Sequence, residues 1–186
     1  MKKNNNPIPI GNPRSLHKRI FGRATVMQTF QLPRTQTTSD FLLFDVRKKS
    51  AIVLGLTANR EVISLRQFRY AQNKVMLELP GGYRQGSESL ECCARREFLD
   101  ETGYEPETVV PLGGMVLYEP SYIKGGYNPF LFLNCRRVQQ QKLDDSEEIT
   151  VVLVPFMKWV KRVNCAEVRG GPMLTATLLA LRHLSL

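Results

Sequence analysis

Three carboxylates near the end of one short helical stretch have the types and spacing to do chemistry. At 100° per residue Asp100 lies about 60° to one side of Glu97 and Glu101 about 40° to the other, so all three share an arc of roughly 100°. Like charges this close repel by about 0.2–0.5 kcal/mol per exposed i,i+4 pair, which a bound cation would offset. Hard carboxylate oxygen donors favour Mg²⁺ or Mn²⁺ over zinc. A solvated acidic helix face would show the same triplet, and the triplet alone does not separate the two.

The flanking residues do. Gly82, Glu88, Arg96, Glu97, Glu101 and Gly103 stand at G-x5-E-x7-R-E-U-x-E-E-x-G-U spacing, with Phe98 and Tyr104 at the bulky apolar positions U. Six such identities at fixed spacing arise by chance at about 10⁻⁵ for a chain of this length, too rare for a coincidental acidic face. The stretch resembles the Nudix box, with Asp100 standing where the box has a glutamate. The likeness continues through Arg66-Gln-Phe-Arg69, Leu77-Glu-Leu-Pro-Gly-Gly82, Pro120, the pair Glu147-Glu148 and a final helix after Gly170-Gly-Pro172. Those pieces are similar to the ADP-ribose pyrophosphatase-like branch, over about residues 22–186 and most closely over 62–120.

The resemblance implies hydrolysis of a nucleoside diphosphate-linked substrate at its pyrophosphate, with Mg²⁺ (or Mn²⁺) as cofactor. ADP-ribose, giving AMP and ribose 5-phosphate, leads the candidates. Another nucleotide sugar, a dinucleoside polyphosphate and NADH are the alternatives, as is a catalytically weakened ADP-ribose-binding protein. By position, Glu97 and Glu101 are the implied metal ligands, Asp100 a third, and the Gly81 carbonyl a completing donor. Arg96 reads as an orienting ion-pair partner and Glu88 as a loop anchor. Arg69 and Glu78 are placed at the substrate, with Arg66 and Tyr70 as weaker candidates. Some members of the branch position the attacking water with a glutamate in the loop after the box. Here that loop, 119–129, holds only Glu119, so Glu119, Glu147, Glu148 or a metal-bound hydroxide are all open for the role. Gly125 and Gly126 suggest that the loop moves as a lid.

The elements that must position these residues read as follows. Strands are expected over 24–32, 41–46, 51–57, 62–70, 75–79, 109–118, 127–135 and 148–154. The motif helix is expected over 88–102, capped by Ser87 or Ser89 and ended by Gly103, with two proline-led helices over 155–163 and 172–184. Helices come late and singly among many strands, which is not regular β-α alternation. A mixed sheet with helices on its faces follows, and the resemblance implies the same picture: an α/β class, Nudix-type α/β/α sandwich with the box as loop–helix–loop.

The chain has 186 residues and a net charge of +9, of which Lys2, Lys3, Arg14, Lys18 and Arg19 supply +5 without an acid among them. Residues 1–13 carry three prolines and no periodicity, so 1–21 reads as a flexible basic tail and 22–186 as one domain. The basic excess suits an anionic substrate; no aromatic-interleaved basic face argues for nucleic acid. No apolar run reaches the roughly 18 residues of a membrane span, and no secretory signal is evident. Cys92, Cys93, Cys135 and Cys165 have no metal-site spacing and read as reduced structural thiols of a cytoplasmic protein. The resemblance also implies a homodimer, paired through strands at 22–50.

Overall fold

The computed structural model describes residues 6–17, 23–46, 49–144 and 147–186. The chain divides into two compact units, Met1–Lys48 with Leu117–Gly126, and Lys49–Val116 with Tyr127–Leu186.

The first unit is a four-stranded sheet in the order β1 (Ile8–Ser15), β2 (Arg23–Gln31), β3 (Thr38–Val46), β11 (Ile123–Lys124). β2 and β3 pair antiparallel along their whole length, and β11 joins β3 in parallel. Ala24, Val26 and Leu43 form a small core with Phe30 against it. β1 departs from the flexible tail expected over 1–21. Its eight residues are all exposed, so no buried face imposes a period of two. It pairs with β2 at Ile8–Ile10 and at Arg14–Ser15, with a bulge between. An edge strand tolerates prolines because the outward side of its backbone needs no partner. The buried Gln28 ties the bulge down, its Nε2 donating to the Ile10 carbonyl at 3.1 Å. Lys2, Lys3, Lys18 and Arg19 lie outside the described residues.

The second unit carries the motif. Its mixed sheet follows the order β10 (Val116–Leu117), β12 (Gly126–Arg137), β4 (Ser50–Thr57), β5 (Glu61–Arg69), β13 (Ile149–Pro155). β6 (Lys74–Glu78) lies on β5, β7 (Gly81–Tyr83) on β4, and β8 (Tyr104–Glu105) and β9 (Thr108–Pro111) on β12. β12 runs parallel to β4, whereas β5 and β13 are antiparallel neighbours. β4 is buried through seven consecutive residues, the mark of a strand covered on both faces. The strand expected over 109–118 is broken into β9 and β10, with Gly113 at φ 117° between them.

Helix α1 (Leu90–Thr102) covers one face: Cys93, Ala94 and Phe98 pack with Ala51, Val53, Ile63, Phe130 and Phe132. The Phe98 and Phe132 rings meet edge to face at 5.1 Å. Helices α2 (Phe156–Asn164) and α3 (Gly171–His183) complete an α/β/α sandwich, with Trp159 Nε1 donating to Thr177 Oγ1 at 2.8 Å between them. α1 is fixed in register by its ends. Ser89 Oγ accepts from the Cys92 N–H at 3.0 Å, a cap worth about 1 kcal/mol, and Gly103 at φ 77° donates to the Leu99 carbonyl.

Candidate active site

Two glycines of the loop and two glutamates of α1 fit one against the other. The Gly81 N–H donates to Glu101 Oε2 at 2.8 Å, and a Cβ on Gly82 would fall within 2.6 Å of both Glu97 carboxylate oxygens. A Cβ on Gly81 would likewise come within 2.9 Å of Ile52 Cα on the neighbouring strand. Only glycine allows the loop to run this close both to the sheet behind it and to the helix in front of it.

Arg96 and Glu88 set the loop. Arg96 Nη2 donates to Glu88 Oε1 (2.7 Å) and to the Tyr83 carbonyl (3.2 Å), while its Nη1 lies 2.9 Å from Glu97 Oε1. Glu88 Oε1 also accepts the Gln85 N–H at 2.7 Å. One guanidinium thus spans loop anchor and reactive carboxylate, a task for a planar fork. The hydrogen bonds from Arg96 hold the Glu88 carboxyl below its usual range.

Glu101 is 6% exposed. Burial pushes its carboxyl up to about 8; the Gly81 N–H and the Arg69 charge work against that, and the charges of Glu97 and Glu147 add to it. Glu97 is raised as well, by burial first, against the pull of Arg96 and with the charges of Glu147 and Asp100 adding. Glu147, from just before β13, adds its negative charge to those of the buried Glu101 and the half-buried Glu97. Such crowding is unfavourable until a cation enters.

The donor set fits a hard divalent ion of the magnesium kind: oxygen donors, strongly desolvated, with neither His nor a thiolate among them. Among the described residues no three His, Cys, Asp or Glu side chains converge as a self-sufficient metal cage. A magnesium-type ion is ordinarily bound through one or two carboxylates, its remaining positions taken by water and phosphate oxygens. Asp100 lies on the Glu97 flank of the helix.

Arg69 and Glu78 belong to the same site. Glu78 is buried on β6, and its Oε2 accepts from Arg69 Nε at 2.8 Å and from Arg69 Nη2. Burial draws the Arg69 pKa down, but the bonds and charge of Glu78 and the charges of Glu101 and Glu147 leave it raised. The guanidinium is therefore fixed from behind and sits in the field of the carboxylates.

Within the second unit, Arg66, Glu148 and Tyr70 are not brought to this cluster. Arg66 is three positions before Arg69 on β5 and so faces the opposite side of the sheet. It lines a cavity there with Phe68, Val75, Glu148 and Thr150, so Glu148 is placed with Arg66, away from Glu97 and Glu101. Tyr70 begins an exposed 3-10 turn, Tyr70–Gln72. Glu119 belongs to the first unit, where its carboxylate accepts from Ser121 Oγ at 2.7 Å and is held below its usual range by that bond. The loop expected to act as a lid carries β11, paired to β3, and a Cβ on Gly125 would come within 2.8 Å of the Val46 carbonyl oxygen. The cysteines are unpaired, and burial pushes Cys93 and Cys135 up to about 12, which leaves them inert. No helix among the described residues is long and apolar enough to cross a membrane.

The chain is similar to a GDP-mannose pyrophosphatase of Escherichia coli strain K12, 27% identical over 154 residues, 76% of this chain and 75% of the relative. It is similar to an ADP-ribose pyrophosphatase of Bacillus subtilis strain 168, 26% identical over 135 residues, 72% of this chain and 70% of the relative. A solved structure described as an ADP compounds hydrolase shares the fold at a TM-score of 0.83 and 14% identity, covering 96% of this chain and 94% of its own. The NUDIX domain family matches residues 46–167, well over half of the sequence and all of the loop–helix motif, and the chain belongs to that family.

Proposed function

We propose that the protein is a Mg²⁺-dependent pyrophosphohydrolase of nucleoside diphosphate-linked substrates, with ADP-ribose the first to test. The observation that carries this reading is the buried Glu101 carboxylate on the Gly81 N–H, one helical turn from Glu97. Glu97 and Glu101 would hold the ion, with the Gly81 carbonyl and Asp100 as further candidate donors. Bound there, a divalent ion supplies charge neutralisation for the diphosphate and a lowered pKa for the attacking water.

The remaining steps are the chain's own. Arg96 holds the Glu97 carboxylate in place, and the Gly81 N–H does so for Glu101, leaving the second oxygen of Glu101 for a ligand. Arg69, anchored by Glu78, presents its fork to the phosphate oxygens, the geometry a guanidinium matches best. Glu147 is our choice for the group that orients the water and takes its proton, because its charge is felt by Glu97, Glu101 and Arg69 alike. Its carboxylate accepts the Asp144 N–H at 3.1 Å, as that of Glu119 accepts from Ser121.

The test is Mg²⁺-dependent release of AMP from ADP-ribose, run beside GDP-mannose, an adenine dinucleoside polyphosphate and NADH. Glu147→Gln should lower kcat by about 10²-fold or more and Glu119→Gln by less than about twofold. Equal losses would assign the base wrongly. Binding of ADP-ribose with no AMP released under any divalent ion would make the protein a binder. The likeness to a GDP-mannose pyrophosphatase favours a hexose nucleotide as the second reading. We also place the protein in the cytoplasm, where its four free thiols would stay reduced, and as a homodimer. Support for the dimer is the apolar exposure of Phe41, Leu42 and Phe44 on β3. Light scattering on the purified chain checks it.

A further inference from the structure

A second cavity lies on the far side of the sheet from the carboxylates. Its floor follows from strand register. Arg66 of β5 pairs with Leu77 of β6, and Ser64, two residues back on the same face, pairs with Val152 of β13. Arg162 from the last turn of α2, with Glu167 and Arg169 from the segment after it, forms the wall, and Lys74 and Val75 close the β6 edge. The cavity measures about 520 Å³, within the usual range for small-molecule sites.

Its charge is one-sided. Arg66, Lys74, Arg162 and Arg169 line it with one carboxylate, Glu167, while Glu148 stands beyond Arg66 in the adjoining cavity. Glu167 stands 3.6 Å from Arg162, a loose contact between partly exposed groups that neutralises little. Neither Arg66 nor Lys74 has an acidic partner within ion-pair distance among the described residues. Four cations converge from two strands, a helix end and a loop, around apolar side chains of Val75, Leu77 and Val152. Four cations against two acids, Glu167 and Glu148, leave a positive excess that an anion relieves. The apolar floor adds room for an organic part. The diphosphate chemistry uses none of these residues, since the site of Glu97, Glu101 and Arg69 is on the other face.

We propose that this rear cleft is a second ligand site, for a small phosphorylated organic anion, separate from the hydrolytic centre. Two or more guanidinium groups suit phosphate oxygens, and the aliphatic floor would pack against the rest of the molecule.

The test is calorimetric titration of the full chain in EDTA with inorganic pyrophosphate, repeated with AMP. Without divalent ions the carboxylate cluster repels both probes, so saturable binding reports the rear cleft. One equivalent of each probe should bind per chain. Arg66→Gln/Arg169→Gln should weaken binding by about tenfold or more, the loss expected for charge-assisted phosphate bonds, while Arg69→Gln leaves it unchanged. Should the double variant fold poorly, Lys74→Gln on the exposed edge strand should give a smaller loss of the same sign. No saturable heat, or binding that follows Arg69 and ignores Arg66 and Arg169, would overturn the proposal. So would a dimer that falls to monomer in the double variant, which would make the cleft a subunit contact.

Discussion

Stripped of divalent ions, the protein should lose stability as pH rises, and Glu101→Gln should remove most of that loss. The Glu101 carboxyl stands at about 8 in the fold against an ordinary value of 4.5, chiefly because burial disfavours its charge. Below the ordinary value the group is protonated folded and unfolded alike, and stability is full. Between the two values the unfolded chain releases the proton and the folded chain does not, so stability falls with every step in pH. Above about 8 the loss is complete. At about 1.4 kcal/mol per pH unit the window amounts to about 5 kcal/mol, of which about 3 is already lost at pH 7. Against the roughly 5–15 kcal/mol that holds a domain together, this is large. Urea unfolding in EDTA at about pH 5, 7 and 9 measures it, read as the difference between wild type and Glu101→Gln so that other titrations cancel. Gln retains the carbonyl that accepts the Gly81 N–H, so the variant should match wild type at the lowest pH and exceed it at the highest. Glu97, raised in the same direction, leaves a smaller slope in the variant. Adding Mg²⁺ at high pH should restore wild type far more than the variant, because a ligand of the folded state stabilises only what binds it. Wild type and variant curves that run parallel in EDTA would refute the account of Glu101 as a buried, uncompensated carboxylate.

Other substitutions probe the same geometry. Gly82→Ala places a Cβ where the Glu97 carboxylate sits; the movable end of that side chain should give way, lowering kcat about 10–100-fold with little change in the thermal midpoint. Arg96→Lys loses the fork that joins Glu88 to Glu97 and should lower kcat about tenfold with KM nearly constant in steady-state assays. Gly55→Ala sets a Cβ 2.5 Å from the fully buried Phe98 ring and should cost about 1–3 kcal/mol in denaturant unfolding. Phe98→Leu frees space at that contact, so the double variant should lose less than the two single losses added together.

The motif helix and its ends could be read from residue types, because caps and a C′ glycine act locally and Ser89 and Gly103 do what their chemistry dictates. The strand pattern of the second unit was legible for the same reason: β4 and β5 are apolar runs between turns. β1 was not legible, since a fully exposed edge strand carries no hydrophobic period and its prolines mimic a linker. The single strand expected over 109–118 failed at Gly113 and Gly114, where a run of apolar letters conceals a turn. At the site, the parity of a strand held information that went unused. Arg66 and Arg69 are an odd number apart and cannot face one ligand, and the structure sends Arg66 and Glu148 to the rear. What no spacing rule could supply is burial: Glu97 and Glu101 look equivalent on a helical wheel, yet one is nearly enclosed and the other is held by Arg96.

That difference also accounts for the single departure within the box. The loop presents two consecutive glycines, and each takes one carboxylate of an i,i+4 pair: Gly81 the inner Glu101 through its N–H, Gly82 the outer Glu97 by having no side chain. Both seats need a glutamate, since the carboxylate must reach from the helix to the loop backbone. Asp100 lies about 100° around the helix from Glu101, on the far flank of Glu97, outside the Gly81-Gly82 pair. It adds negative charge against Glu97, and aspartate carries that charge as well as glutamate does. A side chain one methylene shorter is therefore tolerated at this position of the acidic face and not at the other two.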